Sequence, residues 1–322
     1  MNNPLVSILI PVYNRESILS ETIESALSQT YSNIEIIIVD NCSTDDTWNI
    51  IQQYATKDKR IKPFRNDTNI GPVRNWLACL DQATGQFTKI LWSDDLIHSQ
   101  FLDRLLPFFK DPSIAFVYSG VNVFDNSPST PNKTLYASMQ DGVYETKSFI
   151  AGVLLGGDFP FSPGCAIFRT ADVKKNLYLD IPNRVGSDFS MHAIGNDLLL
   201  FLLTAQQYPN YGYVNEPLAY FREHTDSITV TASGGKLLFH YDLVKGFFAE
   251  HYIKDKKLLR KLNSFFLIHL LKFDAKNYNI HRINDFYPTK KSNWISVQYL
   301  AGRLVDSWRK RYKLNNSSKG NS

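Results

Sequence analysis

Two short runs, LVSILI (5–10) and IEIIIV (34–39), constrain this chain more than any other feature in it. Both are β-branched and apolar with no polar face to offer water, so they read as strands covered on both sides, as in a parallel sheet. Parallel neighbours need a crossover. Between the runs, SILSETIESALSQTY sets Ile18, Leu19, Ile23, Ala26 and Leu27 along one helical stripe, which makes a right-handed βαβ unit. The pattern repeats: a helix begins in STDDTWNIIQQYA, another in GPVRNWLACLDQA with Pro72 in its first turn, and FTKIL (87–91) is a further strand. Repeated units of this kind predict an α/β sheet with helices on both faces.

Ligands bind such sheets beyond the carboxyl ends of the strands, where loops converge and helix amides point outward. The polar clusters PVYNRE, DNCSTDD and WSDD fall at those ends. Asp94 and Asp95 stand side by side where a core strand stops. Adjacent carboxylates repel and are costly to desolvate, so they need a cation, a basic partner or water. No GxGxxG follows the first strand and no GxxxxGK[ST] occurs, so neither a dinucleotide nor a P-loop phosphate cradle is present. A hard divalent cation held by one or two carboxylates and a ligand's own phosphate oxygens is the alternative, and Asp94 and Asp95 fit it.

At this point the residues carry a family resemblance. VSILIPVYNRE, IEIIIVDNCSTDDT, NIGPVRNWLA and WSDD, in this order and spacing over roughly the first 110 residues, resemble the nucleotide-sugar-binding half of family 2 glycosyltransferases with the GT-A fold. The resemblance implies a Rossmann-like mixed sheet flanked by helices and a donor site built from Pro11, Tyr13, Asn14, Asp40, Arg74 and Asp94. Tyr13 would stack on the base, Asp40 would hydrogen-bond it, and Arg74 would lie near the base or phosphates. Asp94 and Asp95 would meet the ribose and a Mn²⁺ or Mg²⁺ ion bridging the diphosphate. Many members have an acid two positions before Asp94, where this chain has Trp92, either a donor-pocket wall or an aromatic closing the core strand.

The second half matches less closely. AFVYSGVNVFD (115–125) reads as a strand, NSPSTPNKT (126–134) as a surface loop, YETKSFIAGVLLGG as a helix, and FPFSPGCAIFRT (159–170) as a loop entering a strand. In the family this region faces the acceptor, which implicates Phe159, Phe161 and Ser162, although core packing also accounts for the two phenylalanines. Asn196-Asp197 opens the apolar helix LLLFLL, and Asp197 aligns with the catalytic base; helix capping is its plainer role. YFREHTDS resembles the family's YRxHxxS element, which makes His224 a metal or phosphate ligand, against the structural role of many lone histidines. The implied reaction is a single inverting displacement from a nucleotide-diphosphate sugar to a hydroxyl of a saccharide, lipid-linked in surface-polysaccharide synthesis (O-antigen, capsule or lipopolysaccharide). A sugar-phosphate nucleotidyltransferase normally carries a Gly-rich, Lys/Arg-containing loop after its first strand, which PVYNRE lacks; a noncatalytic carbohydrate-binding relative need not keep Asp94, Asp95 and Asp197.

The expected layout is a GT-A domain over 1–235, with donor binding in 1–110 and the acceptor side and base in 111–235. A helical region over 236–314 and a disordered tail over 315–322 follow. Charge is divided unevenly: residues 256–313 carry 14 Lys and Arg against 3 Asp and Glu, while residues 1–255 carry 20 against 28. KDKKLLRKLNSFFLIHLLKF and WISVQYLAGRLVDSWRKRYKL put apolar and basic residues on different sides, as helices at an anionic membrane surface do; a solvated helical face is the alternative. No nucleic-acid motif accompanies the basic residues. Cys42, Cys79 and Cys165 are odd in number and far apart, which favours neither disulfides nor a CxxC metal site. With no signal-like start and no apolar run near the roughly 20 residues of a membrane span, the expected place is the cytoplasm, peripheral on the inner face of the cytoplasmic membrane.

Overall fold

A computed structural model describes residues 3–223, 235–289 and 294–303. The chain forms two compact units, Met1–Ile181 with Asp188–Ser233, and Pro182–Ser187 with Gly234–Ser322. The first unit opens with β1 (Val6–Val12), α1 (Leu19–Leu27), β2 (Ile34–Asp40), α2 (Thr47–Lys57), β3 (Ile61–Arg65), α3 (Pro72–Asp81) and β4 (Phe87–Ile90). All residues of β1, β2 and β4 are buried, as their apolar runs require. β5 (Leu96–Ile97), α4 (Phe101–Leu105), β6 (Ile114–Phe124), β7 (Lys133–Leu135), β8 (Gly142–Glu145) and α5 (Thr146–Leu154) follow. The unit closes with β9 (Ala166–Arg169), α6 (Thr170–Asn176), α7 (Phe189–His192), α8 (Asn196–Gln207) and β10 (Asn210–Arg222).

One mixed sheet runs in the order β3-β2-β1-β4-β9-β6-β10-β5, with β7 added to β6 and β8 to β10. β1, β2, β3 and β4 pair in parallel, β9 is antiparallel to both β4 and β6, and β10 is parallel to β6. Six strands therefore end on one rim, and the turn that precedes the reversed β9 reaches the same rim. Five strands, β3, β5, β7, β8 and β10, go beyond the sequence reading, and β8 takes Tyr144 and Glu145 from the start of the helix read there. β3 contains Pro63, which a strand tolerates at an edge, and β3 is an edge. β10 contains Pro217, and its register against β6 shifts on both sides of that residue, so a bulge absorbs the missing donor. Within the span read as a surface loop, Lys133 and Thr134 instead begin β7.

In the second unit, α9 (Lys236–Tyr252) and α10 (Lys256–Lys272) carry most of the described helix. Asp255 caps α10 by accepting from the Lys257 and Leu258 amides at 2.7 and 3.3 Å. Asp242 is fully buried and pairs with Lys245 at 3.3 Å and His269 at 2.5 Å, so the charges inside this unit compensate one another. Residues 297–303 are helical, the start of the second amphipathic helix read from the sequence; its remainder and the 315–322 tail lie outside the described residues. Among the described residues, no helix is long and apolar enough to cross a membrane.

Candidate active site

Past the buried Pro11, the chain leaves β1 at Tyr13 and Asn14. Asn14 adopts φ 49°, a left-handed conformation that asparagine tolerates. Its amide donates to Ser43 Oγ at 2.9 Å and its Oδ1 accepts from the Thr44 amide at 2.9 Å, which ties the loop after β1 to the loop after β2. The Tyr13 side chain is left 40% exposed, a ring face open to stacking. Asp40, at the end of β2, is fully buried: the Ser43 amide donates to it at 3.1 Å, the Ser43 hydroxyl also donates, and Arg65 Nε lies 3.1 Å away. Both carboxylate oxygens thus bond protein groups that shape the loop.

A chain of asparagines, which sequence reasoning passed over, builds the approach to α3. Asn41 donates to Asn69 Oδ1 at 2.8 Å, and Asn66 donates to Asn41 at 3.0 Å and to Asn75 at 2.9 Å. Gly71 follows at φ 85°, a left-handed backbone that favours glycine. Arg74, exposed one turn into α3, donates to Ser190 Oγ of α7 at 3.1 Å.

The stretch after β4 holds the paired carboxylates. Asp95 is buried and accepts from the Arg222 amide at 2.9 Å. Burial, then the adjacent Asp94 charge, raise its pKa well above the usual aspartate value; the Arg222 amide and the Lys89 and Arg222 charges offset only part of this. Arg222 also donates from Nε to the Asp94 carbonyl at 3.0 Å, pairs with Glu21 at 2.7 Å and lies over the Phe124 ring at 4.7 Å. Its place in YFREH was visible, but only His224 of that element was singled out, and His224 lies outside the described residues. Lys89 of β4 is a second residue the sequence reading missed, although a lysine inside FTKIL is itself a signal. It is fully buried, donates to the carbonyls of Ile90 at 2.9 Å and of Gly164, and burial pulls its pKa down to about 7. Trp92 stands beside them, its Nε1 donating to Ser162 Oγ at 2.7 Å and its ring 4.7 Å from Trp76. Phe159 packs edge-on against Phe149 of the core at 5.3 Å.

Asp197 lies in the first turn of α8 and is buried. Its Oδ1 accepts from the Gly195 amide at 2.9 Å and the Leu198 amide at 2.8 Å, so the backbone fixes the carboxylate's orientation. Among the described residues, no cluster of three or more His, Cys, Asp or Glu forms a ready-made metal cage. A two-carboxylate site completed by a ligand's phosphates nevertheless fits the adjacent Asp94 and Asp95, since what surrounds Asp95 offsets only part of the cost of its charge.

Residues 7–177 match the family profile described as Glycosyl transferase family 2, more than half of the chain. The chain belongs to glycosyltransferase family 2. It is 34% identical over 134 residues to the putative teichuronic acid biosynthesis glycosyltransferase TuaG of Bacillus subtilis, covering 42% of this chain and 53% of that protein. It is 42% identical over 115 residues to the UDP-Glc:alpha-D-GlcNAc-diphosphoundecaprenol beta-1,3-glucosyltransferase WfaP of Escherichia coli, covering 36% and 45%. These alignments span about half the length of the curated relatives. The crystal structure of S. aureus TarS 1–349 in complex with UDP-GlcNAc superposes with a TM-score of 0.63 at 18% identity, over 84% of this chain and 74% of that one. The family 2 chain therefore has the mixed α/β sheet and flanking helices of GT-A glycosyltransferases.

Proposed function

We propose that this family 2 chain transfers a sugar from a nucleotide-diphosphate donor to a saccharide hydroxyl by a single inverting displacement, in bacterial surface-polysaccharide synthesis. The observation that carries the reading is the buried Asp95 beside the half-buried Asp94, on the rim where the strand ends meet. Tyr13 takes the base face, while Asn14, Asp40 and the asparagine chain keep the loops around it in place. Arg74 supplies positive charge toward the phosphates. Asp94 and Asp95 would hold Mn²⁺ or Mg²⁺ together with the donor's phosphate oxygens, and such an ion, when bound, neutralises charge on the departing diphosphate. Asp197 accepts the proton of the acceptor hydroxyl as that oxygen attacks the anomeric carbon from the face opposite the leaving group. The WfaP name specifies a diphosphoundecaprenol-linked acceptor for that relative, which supports a lipid-linked acceptor here.

A peripheral place on the cytoplasmic face of the membrane agrees with such an acceptor. In the second unit Leu271, Phe273, Trp294 and Val297 are exposed at 77, 47, 72 and 72%, on a segment rich in Lys and Arg. The test is hydrolysis and transfer with a panel of nucleotide sugars, with and without EDTA, and NMR of the product anomer. Metal-dependent turnover with inversion is expected, and turnover undiminished by EDTA or a retained anomer rejects the scheme. Co-sedimentation with anionic vesicles should weaken as salt rises; binding that is absent at low salt, or insensitive to salt, removes the electrostatic membrane contact.

A further inference from the structure

The turn that carries the two carboxylates, residues 92–95, is tied down by two elements distant from it in the chain. From α1, the Thr22 hydroxyl donates to the Ser93 carbonyl at 3.1 Å in a buried contact. From the end of β10, Arg222 takes hold of the next two residues: its Nε donates to the Asp94 carbonyl at 3.0 Å, and its amide donates to Asp95 Oδ1 at 2.9 Å. The Asp95 amide closes the turn on the Trp92 carbonyl at 3.1 Å. β5, which follows directly, pairs antiparallel with β10 at Leu96–Tyr220 and Ile97–Ala219, so the turn and the arginine belong to one piece of sheet.

The arginine is itself held. Its side chain is only 9% exposed, its guanidinium lies over Phe124 at 4.7 Å, and its far nitrogen pairs with Glu21 of α1 at 2.7 Å. Phe124 is also its register partner on β6. A planar fork with one edge on a carbonyl and another on a carboxylate has a fixed orientation, which a lone ammonium on a flexible stem lacks. Through its charge, Arg222 opposes a cation at the neighbouring acids; only through geometry can it favour one. The geometry does so. Its amide occupies one Asp95 oxygen, and among the described residues the other, Oδ2, has no hydrogen-bond partner. Pinning the Asp94 carbonyl fixes where the Asp94 side chain leaves the backbone.

We propose that Arg222 is a positioning residue for cation binding: its side chain, anchored by Glu21, holds the Asp94-Asp95 turn in the shape that a divalent cation needs. The inference rests on the transfer reading above, in which these two acids hold Mn²⁺ or Mg²⁺ together with the donor's phosphates.

The probe is Mn²⁺ with UDP, GDP, CDP or dTDP and the full chain, followed by loss of the free-Mn²⁺ paramagnetic resonance signal, with calorimetry of the same nucleotide in EDTA as the metal-free reference. Arg222→Met keeps an apolar stem for Phe124 and the amide bond to Asp95 but loses both side-chain hydrogen bonds. Mn²⁺ affinity in the presence of the nucleotide should fall about tenfold or more, the scale for losing a group that orients a metal ligand, while metal-free nucleotide affinity changes by less than about twofold. Removing a nearby positive charge would by itself tighten Mn²⁺ binding, so the sign of the change separates positioning from charge. Arg222→Lys keeps the charge and loses the fork, and should weaken Mn²⁺ binding about threefold or more. Melting temperatures establish that each variant is folded at the assay temperature, and if the methionine variant is not, the lysine variant decides. A loss of less than about threefold in either folded variant, tighter binding, or an equal fall in metal-free nucleotide affinity overturns the proposal. A wild type that binds Mn²⁺ with none of these nucleotides overturns the transfer reading itself, and this inference with it.

Discussion

Two carboxylates, Glu35 and Asp95, are buried near opposite ends of the same sheet, and they ionise in opposite directions. Glu35 is the second residue of β2 and only 3% exposed. Burial alone would raise its pKa, but hydrogen bonds from Lys62, Ser7 and Thr84 hold it at about 2. Ser7 Oγ reaches it at 2.6 Å and the Thr84 amide at 2.8 Å. Asp95, 6% exposed beyond β4, is desolvated and has a like charge beside it, and both drive its pKa the other way. Both expose little surface, but Asp95 is the more deeply desolvated and the less compensated of the two. A saturated carboxylate stabilises a fold, whereas an under-compensated one beside a second acid is poised for a cation or ligand.

Asp197 should give the largest effect. Two backbone amides hold one of its oxygens, and in the proposed reaction it accepts the acceptor's proton. Asp197→Asn keeps an oxygen for both amides, so the melting temperature and donor affinity should barely move while turnover falls roughly 10²–10⁴-fold. Measuring all three on one variant tests this, and a near-normal rate would place Asp197 with Glu35 among the structural acids.

Asp95→Asn comes next. Donor affinity in Mn²⁺ should weaken roughly 10–100-fold, the scale of a lost charged interaction, as read by calorimetry. Its stability should move with pH in the sense opposite to that of Glu35. The folded Asp95 carboxyl keeps its proton to higher pH than the unfolded one, so wild type loses stability relative to Asp95→Asn as pH rises above about 4. Equal stability curves across that range would show that the folded Asp95 carboxyl titrates as the unfolded one does, its burial fully offset.

The contrast between the two acids also marks what the sequence reveals. Asp94 and Asp95 were legible because an acid pair after an apolar strand has few structural uses, and β1, β2 and β4 because their runs exceed what a solvated segment carries. Arg222 and Lys89 were not, since each bonds partners far away in the chain: Asp95 is 127 residues from the Arg222 amide, and Gly164 is 75 from Lys89. β10 was hidden by Pro217, whose bulge is a property of pairing rather than of local composition.

Glu35→Gln should cost about 1–3 kcal/mol at pH 7, because Lys62 and the Thr84 amide lose a charged acceptor. The folded pKa lies below the unfolded one, so this stabilisation is fully present above the ordinary glutamate value of 4.5 and disappears as pH falls through about 2. Urea melts at pH 7, 4 and 2.5 follow it, and donor affinity should not change. A kinetic effect from this end of the sheet would break the division between the two acids.

Lys89→Met should have the smallest net effect, and it probes the compensation of Asp95 from below. The variant loses hydrogen bonds to the Ile90 and Gly164 carbonyls but no longer buries an ammonium, so at pH 7 the two changes should cancel to within about 1 kcal/mol. The signature lies in the pH dependence. Between the folded pKa of about 7 and the ordinary lysine value of 10.5, the unfolded chain binds a proton that the folded chain does not. Wild-type stability should therefore rise with pH over that window, by up to about 1.4 kcal/mol per unit, from this group alone. Methionine abolishes that contribution, so the variant's stability should fall behind wild type as pH goes from 7 to 9. Parallel curves for the two proteins would mean that Lys89 remains charged in the folded state, with Asp95 ionised beside it, and the under-compensated carboxylate would then have found its partner within the protein.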